Sequence, residues 1–441
     1  MGKAENKAIP EAERAVRGVG GEAGPETQPG RVLVQTQRGA DMLATGLMFT
    51  FVMAAVTLSL MPVVTNELRE VADLSDAQIG LLTSVFMGFY GVAGISSGVL
   101  AARWGGRLLG VSCGCFVVGS VVFALSSGFA GFLVGRCIQG IGGGMVVATC
   151  NPVLAHALPS ERFGRAWGIV GCGFGLGTMV ALFAMPAIGE AGGYRAVFLA
   201  TAGLGFAAGV AVLAQRAVRA LPRHPEGATT LRGLAVSLGA VASNRRLLLV
   251  ALTNTAGLAM GVGAMAWAPS FLHDVHAMPE AASVYLIAGL GAAQLVGNPL
   301  GAVAAARWGK FWVLVSGVAL MLVTTAVTGI MPGAVLAAAM VIVGGFFGMF
   351  YFPAMLGYIP EVVAKPEQVG PGTGITTLMG FVGSLVAPWL FGLILDHGGQ
   401  SAGAYIAGFV MLGAFGVVAL IGLAFFRGRT RPEVVETPER G

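Results

Sequence analysis

The sequence predicts an all-α membrane protein of twelve transmembrane helices arranged in two six-helix, pseudo-symmetric bundles. Three observations carry that prediction. Hydrophobic residues make up 56% of the 441 positions and charged residues only 11%, whereas an ordinary soluble domain carries about 25% charge. Apolar stretches of about 20 residues recur along the chain, the length that crosses a hydrocarbon core of roughly 30 Å. The string Ala-Ala-Arg-Trp-Gly occurs at Ala101 to Gly105 and again at Ala305 to Gly309, an offset of 204 residues. Each copy closes a long apolar run with an arginine and an aromatic, as expected of two related halves with the same topology.

The first six spans lie near 42–63, 79–101, 108–129, 131–155, 164–188 and 194–215. The second six lie near 246–271, 281–304, 311–331, 333–357, 372–395 and 403–426. The chain therefore divides into a tail (1–38), an N-terminal bundle (39–215), a linker (216–244), a C-terminal bundle (245–426) and a second tail (427–441). Both tails are polar and without periodicity, which predicts disorder on the cytoplasmic side. The first tail lacks the apolar core and cleavage site of a secretory signal, so the first span is expected to be retained. Leu231 to Ala242 is a candidate for a short surface helix in the linker.

Charge fixes the expected orientation, because Lys and Arg near span ends resist translocation. With the N-terminus inside, the inner segments hold 23 of the 26 basic residues and the outer segments two, Arg69 and Arg195. The remaining one, Arg136, falls within a span. Outer segments collect acids instead: Glu67, Glu70, Asp73, Asp76, Glu190, Asp274, Glu280 and Asp396. The net charge of +5 is thus a topology signal, with no nucleic-acid partner implied. A bacterial cytoplasmic (inner) membrane protein with both termini inside is expected.

Several motif classes are weak. Cys113, Cys115, Cys137, Cys150 and Cys172 sit in first-half spans without a Cys-x-x-Cys pair, so they read as small buried side chains. His273, Asp274 and His276 cluster on an outer loop, where solvated side chains are a blander explanation than a metal site. None of the four lysines lies in a phosphate-cradling glycine loop. Gly171, Gly173, Gly175 and Gly177 are in mid-span, where small residues four apart let helices approach closely. Neither a cofactor nor a metal is expected.

The half-repeat has a second register. Gly168, Gly177, Glu190, Gly192 and Gly193 match Gly374, Gly383, Asp396, Gly398 and Gly399 at an offset of 206, and Pro152 and Pro159 match Pro353 and Pro360 at 201. Parallel repeats of this kind place a substrate site between the halves near the midplane.

Gly98-Val-Leu-Ala-Ala-Arg103-Trp-Gly105-Gly-Arg107 resembles the signature loop of the major facilitator superfamily, Gly-x-x-x-Asp-Arg-x-Gly-Arg-Arg/Lys. Arg136-Cys-Ile-Gln139-Gly140 resembles the family's Arg-x-x-Gln-Gly pattern in helix 4. Pro159-Ser-Glu161-Arg162-Phe-Gly164-Arg165-Ala-Trp-Gly168 resembles its loop between helices 4 and 5, and Tyr194-Arg195 with Phe198 its start of helix 6. The similarity covers about 40 to 426. It implies gating roles for Gly98, Arg103, Gly105, Arg107, Glu161, Arg162, Arg165 and, in the second copy, Arg307. Two departures stand out. Ala102 and Ala306 replace the usual Asp, which in the family helps latch the cytoplasmic gate, so a weaker or different latch is implied. The fifth span also lacks the Pro of the Gly-x-x-x-Gly-Pro-x-x-Gly-Gly pattern of drug and proton antiporters, which lowers the exporter reading.

All 21 acidic residues fall outside the span centres, leaving Arg136 as the charge within them. A charge at that depth costs about 2.5–3.5 kcal/mol on the insertion scale. Arg136 is therefore either a structural anchor on neighbouring helix ends or a substrate contact, with Gln139 three residues on sharing its face. Tyr90, Asn151, Asn254, Gln294, Asn298 and Tyr351 are further polar candidates within spans. Gln294 and Asn298 are four apart, and Gln294 matches Tyr90 at the offset of 204. Hydrogen bonds between helices explain any one of them equally well. The expected function is alternating-access transport of a small organic solute, anionic or neutral, by a monomer whose partners are that solute and the lipid bilayer. The alternatives are a proton-coupled exporter of drugs or metabolites and a non-transporting membrane sensor. An enzyme would need intramembrane carboxylate, His or metal-ligand sets, which the spans do not contain.

Overall fold

The computed structural model describes residues 36–158, 160–219, 239, 243–363 and 369–427. Residues 1–35 and 428–441 of the predicted tails, most of the linker with all but residue 239 of its candidate helix at 231–242, and the side chain of Asn151 lie outside the described residues; the tail ends predicted as disordered at 37–38 and 427 are instead helical, as the first and last spanning helices run past their apolar cores. Every element among the described residues is helical: α1 (Gln37–Leu58), α2 (Met61–Ala72), α3 (Asp76–Trp104), α4 (Arg107–Leu125), α5 (Phe129–Ala157), α6 (Ser160–Ala214), α7 (Arg216–Arg219), α8 (Arg245–Asp274), α9 (Glu280–Ile287), α10 (Gly289–Trp308), α11 (Lys310–Thr328), α12 (Ala334–Phe350), α13 (Phe352–Val362), α14 (Val369–Gly398) and α15 (Ala402–Arg427).

Eleven helical segments are long and apolar enough to cross a membrane. They make twelve crossings because α6, the longest, folds back where Gly192 and Gly193 leave helical geometry. The sequence predicts two helices there, and the structure joins them through this bend without an intervening loop. Other predicted spans are interrupted rather than lengthened. The first breaks at Ser59 and Leu60 ahead of Pro62, the eighth at Ala288 and the tenth at Tyr351 ahead of Pro353. Proline lacks the N–H that would continue the ladder, which explains the breaks at 62 and 353.

Chain reversals alternate between two faces. One carries Arg107, Arg165, Arg245 and Lys310 and is called the basic face; the other carries Asp76, Glu190, Asp274 and Asp396 and is called the acidic face. The half-repeat is written into the backbone. Residues with left-handed φ fall in pairs at the repeat offsets: Asp73 (50°) with Ala277 (51°), Gly105 (59°) with Gly309 (86°), and Gly193 (67°) with Gly399 (62°). Gln400 (58°) stands outside the pattern. A Cβ disfavours this region, so glycine at 105, 193, 309 and 399 meets a backbone requirement of each turn.

Within the first half, α1 packs on α6, and α5 packs on α3 and α4. Within the second, α8 packs on α14 and α15, while α12 packs on α10 and α11. The halves meet where α3 lies against α14, α6 against α10, and α2 against α8. Large apolar side chains such as Phe206, Val210, Val418 and Ile421 remain exposed on the outside of the bundle, the composition a lipid-facing surface requires. Glycines set the helix spacing. A Cβ on Gly175 would meet the Gly291 carbonyl oxygen at 2.7 Å, and one on Gly291 would meet the Gly175 carbonyl oxygen at 2.5 Å. Along α3 and α14, Gly80 faces the Pro388 carbonyl and Gly91 the Phe381 ring.

Gly383 abuts the Thr255 backbone, whereas nothing lies within 4 Å of a Cβ at Gly168. Gly383→Ala is expected to destabilise by about 1–3 kcal/mol through overpacking. Gly168→Ala is expected to stabilise by up to about 1 kcal/mol, since alanine favours the helix. Melting temperatures in detergent should move in opposite directions.

Candidate functional site

Arg136 sits two turns from the start of α5, toward the acidic-face end, and is fully buried. Its Nε–H donates to the Leu82 carbonyl of α3 at 3.1 Å, and Nη1 donates to the Thr57 carbonyl of α1 at 2.8 Å and to Gln139 Oε1 at 3.1 Å. The Thr57 carbonyl is among those a helix end leaves without a full intrahelical ladder, because α1 stops at Leu58. The guanidinium also lies over the Phe86 ring, 4.4 Å from its centroid, where the ring's negative face favours a cation. Gln139 passes the chain of bonds on: its Nε2 donates to Ser120 Oγ of α4 at 2.9 Å. One planar cation thus ties α1, α3 and α5 together, with α4 joined through Gln139. Nη2 is buried without a hydrogen-bond partner among the described residues.

The other candidates divide between the halves. Tyr90 lies between Gly143 of α5 and Phe381 of α14, with its ring 4.8 Å from that of Phe381 across the half boundary and 6.0 Å from that of Phe86. Arg136, Gln139, Phe86 and Tyr90 therefore form one contiguous group. Gln294, the repeat counterpart of Tyr90, lines a cavity inside the second half with Met260, Thr325 and Gly344, and its Oε1 is buried without a partner among the described residues. Asn298 lies half-buried one turn further along α10. Asn254 Nδ2 donates to the Thr376 carbonyl at 2.9 Å, which ties α8 to α14. Tyr351 is buried against Gly257 and Gly317. Asn254 and Tyr351 thus pack within the second half.

The basic-face residues occupy helix ends. Gly105 makes the left-handed turn between α3 and α4, Arg107 opens α4, and Arg307 lies in the last turn of α10; both arginines are exposed. Arg165 makes a two-pronged contact with Asp41, Nε to Oδ1 at 3.2 Å and Nη2 to Oδ2 at 3.1 Å. Gln37 Nε2 adds a third donor to Asp41 at 2.9 Å. Lys310 pairs with Glu361. Arg162 is half-buried near the start of α6. The side chains of Gly98, Arg103 and Glu161 lie outside the described residues.

One expectation is overturned. Asp274 is not a solvated loop residue: it receives Arg69 Nη1 at 3.1 Å and the Tyr405 hydroxyl at 2.5 Å, and only 12% of its side chain is exposed. His273 Nδ1 bonds the Met278 carbonyl at 2.7 Å, and His276 packs its ring on Phe271. These bonds follow from the continuation of α8 to Asp274, which turns the predicted loop into a helix end facing α2 and α15. Sequence reasoning also passed over Arg69, Asp76, Gln400 and Tyr405, which join Asp274 and Asp396 in a polar cluster between the halves. The available signal was Arg69 itself, one of two basic residues among the acids of that face.

Twelve crossings in two repeat-related groups, with buried polar side chains and a charge cluster at their boundary, are the build of a membrane transporter. The family model for the Major Facilitator Superfamily matches residues 43–293 and 285–441, and the chain belongs to that family. Its fold matches the inward-facing, occupied structure of a bacterial homolog to the human lysosomal transporter Spinster. The TM-score is 0.72 at 18% identity, over 89% of this chain and 97% of that one. Among curated relatives, the "Probable 4-methylmuconolactone transporter" of Cupriavidus pinatubonensis is 28% identical over 136 residues, 31% of this chain and 29% of that protein. The "Probable anion transporter 4, chloroplastic" of Oryza sativa subsp. japonica is 31% identical over 134 residues, 30% of this chain and 23% of that protein. The chain thus spans less than a third of the length of either relative.

Arg136→Ala leaves the Thr57 carbonyl and Gln139 Oε1 without their donor, at a cost of about 1–3 kcal/mol for each buried group left unsatisfied. A lower melting temperature in detergent is expected without any substrate present. Arg136→Lys should recover part of it, because a compact ammonium cannot reproduce the planar fork that reaches two helices at once.

Proposed function

We propose that this transporter moves a small organic solute, anionic or neutral, by alternating access of an N-terminal bundle (39–215) and a C-terminal bundle (245–426) across a bacterial cytoplasmic membrane. The carrying observation is the charge inventory: the spans hold Arg136, buried two turns in from the acidic-face end of α5, and no carboxylate at their centres. A negative solute group entering such an interior finds a positive charge and no repulsion, whereas a cationic solute finds no counter-charge. The two N–H bonds of Nη2, buried and without partners among the described residues, are the donors that a carboxylate or lactone oxygen would take. Tyr90 adjoins this group through Phe86, while Gln294, with Asn298 one turn on, offers a second polar contact from the opposite half. The names of the two curated relatives, one a lactone transporter and one an anion transporter, support the same solute class.

Facilitated diffusion or exchange fits this inventory better than tight proton coupling, which commonly cycles a buried carboxyl group. Asp41, near the start of α1 on the basic face, is held by Arg165 and Gln37 and is 32% exposed. Proteoliposomes loaded with a pH dye should report solute entry without stoichiometric proton flux. Stoichiometric flux that disappears in Asp41→Asn would replace the proposal with a proton-coupled carrier. Solute binding without movement would make the protein a sensor.

The basic face is assigned to the cytoplasm, since the inner segments hold 23 of the 26 basic residues. Alkaline phosphatase fused after residue 235 should be inactive and fused after residue 277 active; the reverse result would invert the topology.

A further inference from the structure

We propose that Arg69, Asp76, Asp274, Asp396, Gln400 and Tyr405 form the gate that holds the two halves shut on the acidic face. The inference rests on the rocking of the two bundles proposed above and adds the residues that close one side. Arg69 and Asp76 come from the first half, the other four from the second. Arg69 Nε donates to Asp76 Oδ1 at 2.8 Å and Nη1 to Asp274 Oδ2 at 3.1 Å, so one cation holds a carboxylate from each half. Tyr405 donates to Asp274 at 2.5 Å, and Gln400 Nε2 donates to Asp76 Oδ2 at 2.9 Å. The Asp76 side chain is 2% exposed and that of Arg69 13%. At such burial, removing one partner leaves a charge with neither water nor counter-ion.

Asp396 makes the second part of the closure. Its Oδ1 accepts the backbone N–H of Asp76 at 2.8 Å and its Oδ2 that of Ala77 at 3.0 Å. These are orphan amides of the first turn of α3, so the helix is capped by a carboxylate from the opposite half. Separating the halves on this face must break the cap and the Arg69 bridge together. Gln400 is held at φ 58°, and its side chain reaches back to Asp76. A left-handed non-glycine residue of this kind persists only where its surroundings hold it.

Comparison of the halves separates a gate from general helix capping. Glu190 is the repeat counterpart of Asp396 and is exposed, and α9, the counterpart of the start of α3, has no side-chain cap. The capped boundary therefore forms between α3 and α14 and not at the related boundary between α6 and α9. On the basic face, neither Ala-Ala-Arg-Trp-Gly turn contains a carboxylate, so neither can supply such a cap. Among the described residues the basic-face ion pairs, Arg165 with Asp41 and Lys310 with Glu361, each stay within one half, so closure of the acidic face is the stronger and the carrier rests open toward the basic face.

Hydrogen–deuterium exchange of the full chain in lipid nanodiscs tests this. In Arg69→Ala and Asp396→Ala, peptides covering 73–80 and 390–402 should exchange at least about tenfold faster. Peptides covering 160–168 on the basic face should exchange more slowly as the population shifts. Gln400→Ala, which keeps every charge, should give a smaller change of the same sign. Unchanged exchange at 73–80 in inserted protein would overturn the gate, as would equal acceleration on both faces, which is loss of packing. If the alanine variants do not insert, Asp396→Asn decides by the same readout, since it keeps the shape and removes the charge. Faster exchange on the acidic face with none slowed on the basic face would support the gate and count against the rocking of the bundles. Solute flux in the same nanodisc-reconstituted variants after transfer to proteoliposomes reads the transport proposal separately.

Discussion

Close approach of helix backbones is the constraint on which the rest of this molecule depends. Lipid tails are as apolar as leucine, so burial from water does not drive one spanning helix onto another; packing and hydrogen bonding must do so. The chain answers with glycine wherever two helices touch most closely: Gly175 on Gly291 between the halves, Gly80 and Gly91 along α3 and α14, Gly383 on the Thr255 backbone. Side chains at these points would hold the helices apart and withdraw the polar contacts made across the same helix pairs, the Asp396 cap on α3 among them. The Asp396 carboxylate reaches the first turn of α3 only because Gly80 and Gly392 let α3 and α14 run side by side up to that end.

The same dry interior decides what a polar side chain does. Arg136 finds no carboxylate in the spans and takes backbone carbonyls of two other helices and the face of Phe86 instead. That arrangement anchors three helices, and Nη2, which has no hydrogen-bond partner among the described residues, is the group on which the proposed solute contact rests. Thr57, Thr201, Thr253 and Thr328 bond back to carbonyls of their own helices.

Charge is concentrated at the two ends of the bundle, where water and neighbouring helix termini lower its cost. On the basic face, Arg165 with Asp41 and Lys310 with Glu361 are ion pairs inside one half each, and they are substantially exposed. On the acidic face, Arg69 with Asp274 spans the halves and is nearly buried. Exposed pairs are worth little and buried ones are costly to break, so the two faces resist separation unequally. An asymmetric carrier therefore arises from two halves whose backbones repeat each other down to the left-handed turns at 105 and 309 and at 193 and 399.

The sequence alone determined the number of crossings, the half-repeat and the family resemblance. These are local properties: apolar length, glycine and arginine spacing, and turn residues act over a few positions. The pairing of Arg136 with Gln139 was legible for the same reason, since residues three apart share a helix face. Breaks at Ser59, Ala288 and Tyr351 were missed because an interrupted helix and a straight one bury the same apolar run. The acidic-face cluster was decided by tertiary structure alone. Asp396 lies 320 residues from the amide it caps, and Tyr405 lies 131 from Asp274. No spacing rule reaches across such distances; only the packing of α2, α3, α8, α14 and α15 brings those charges within bonding range, and only burial there makes them matter.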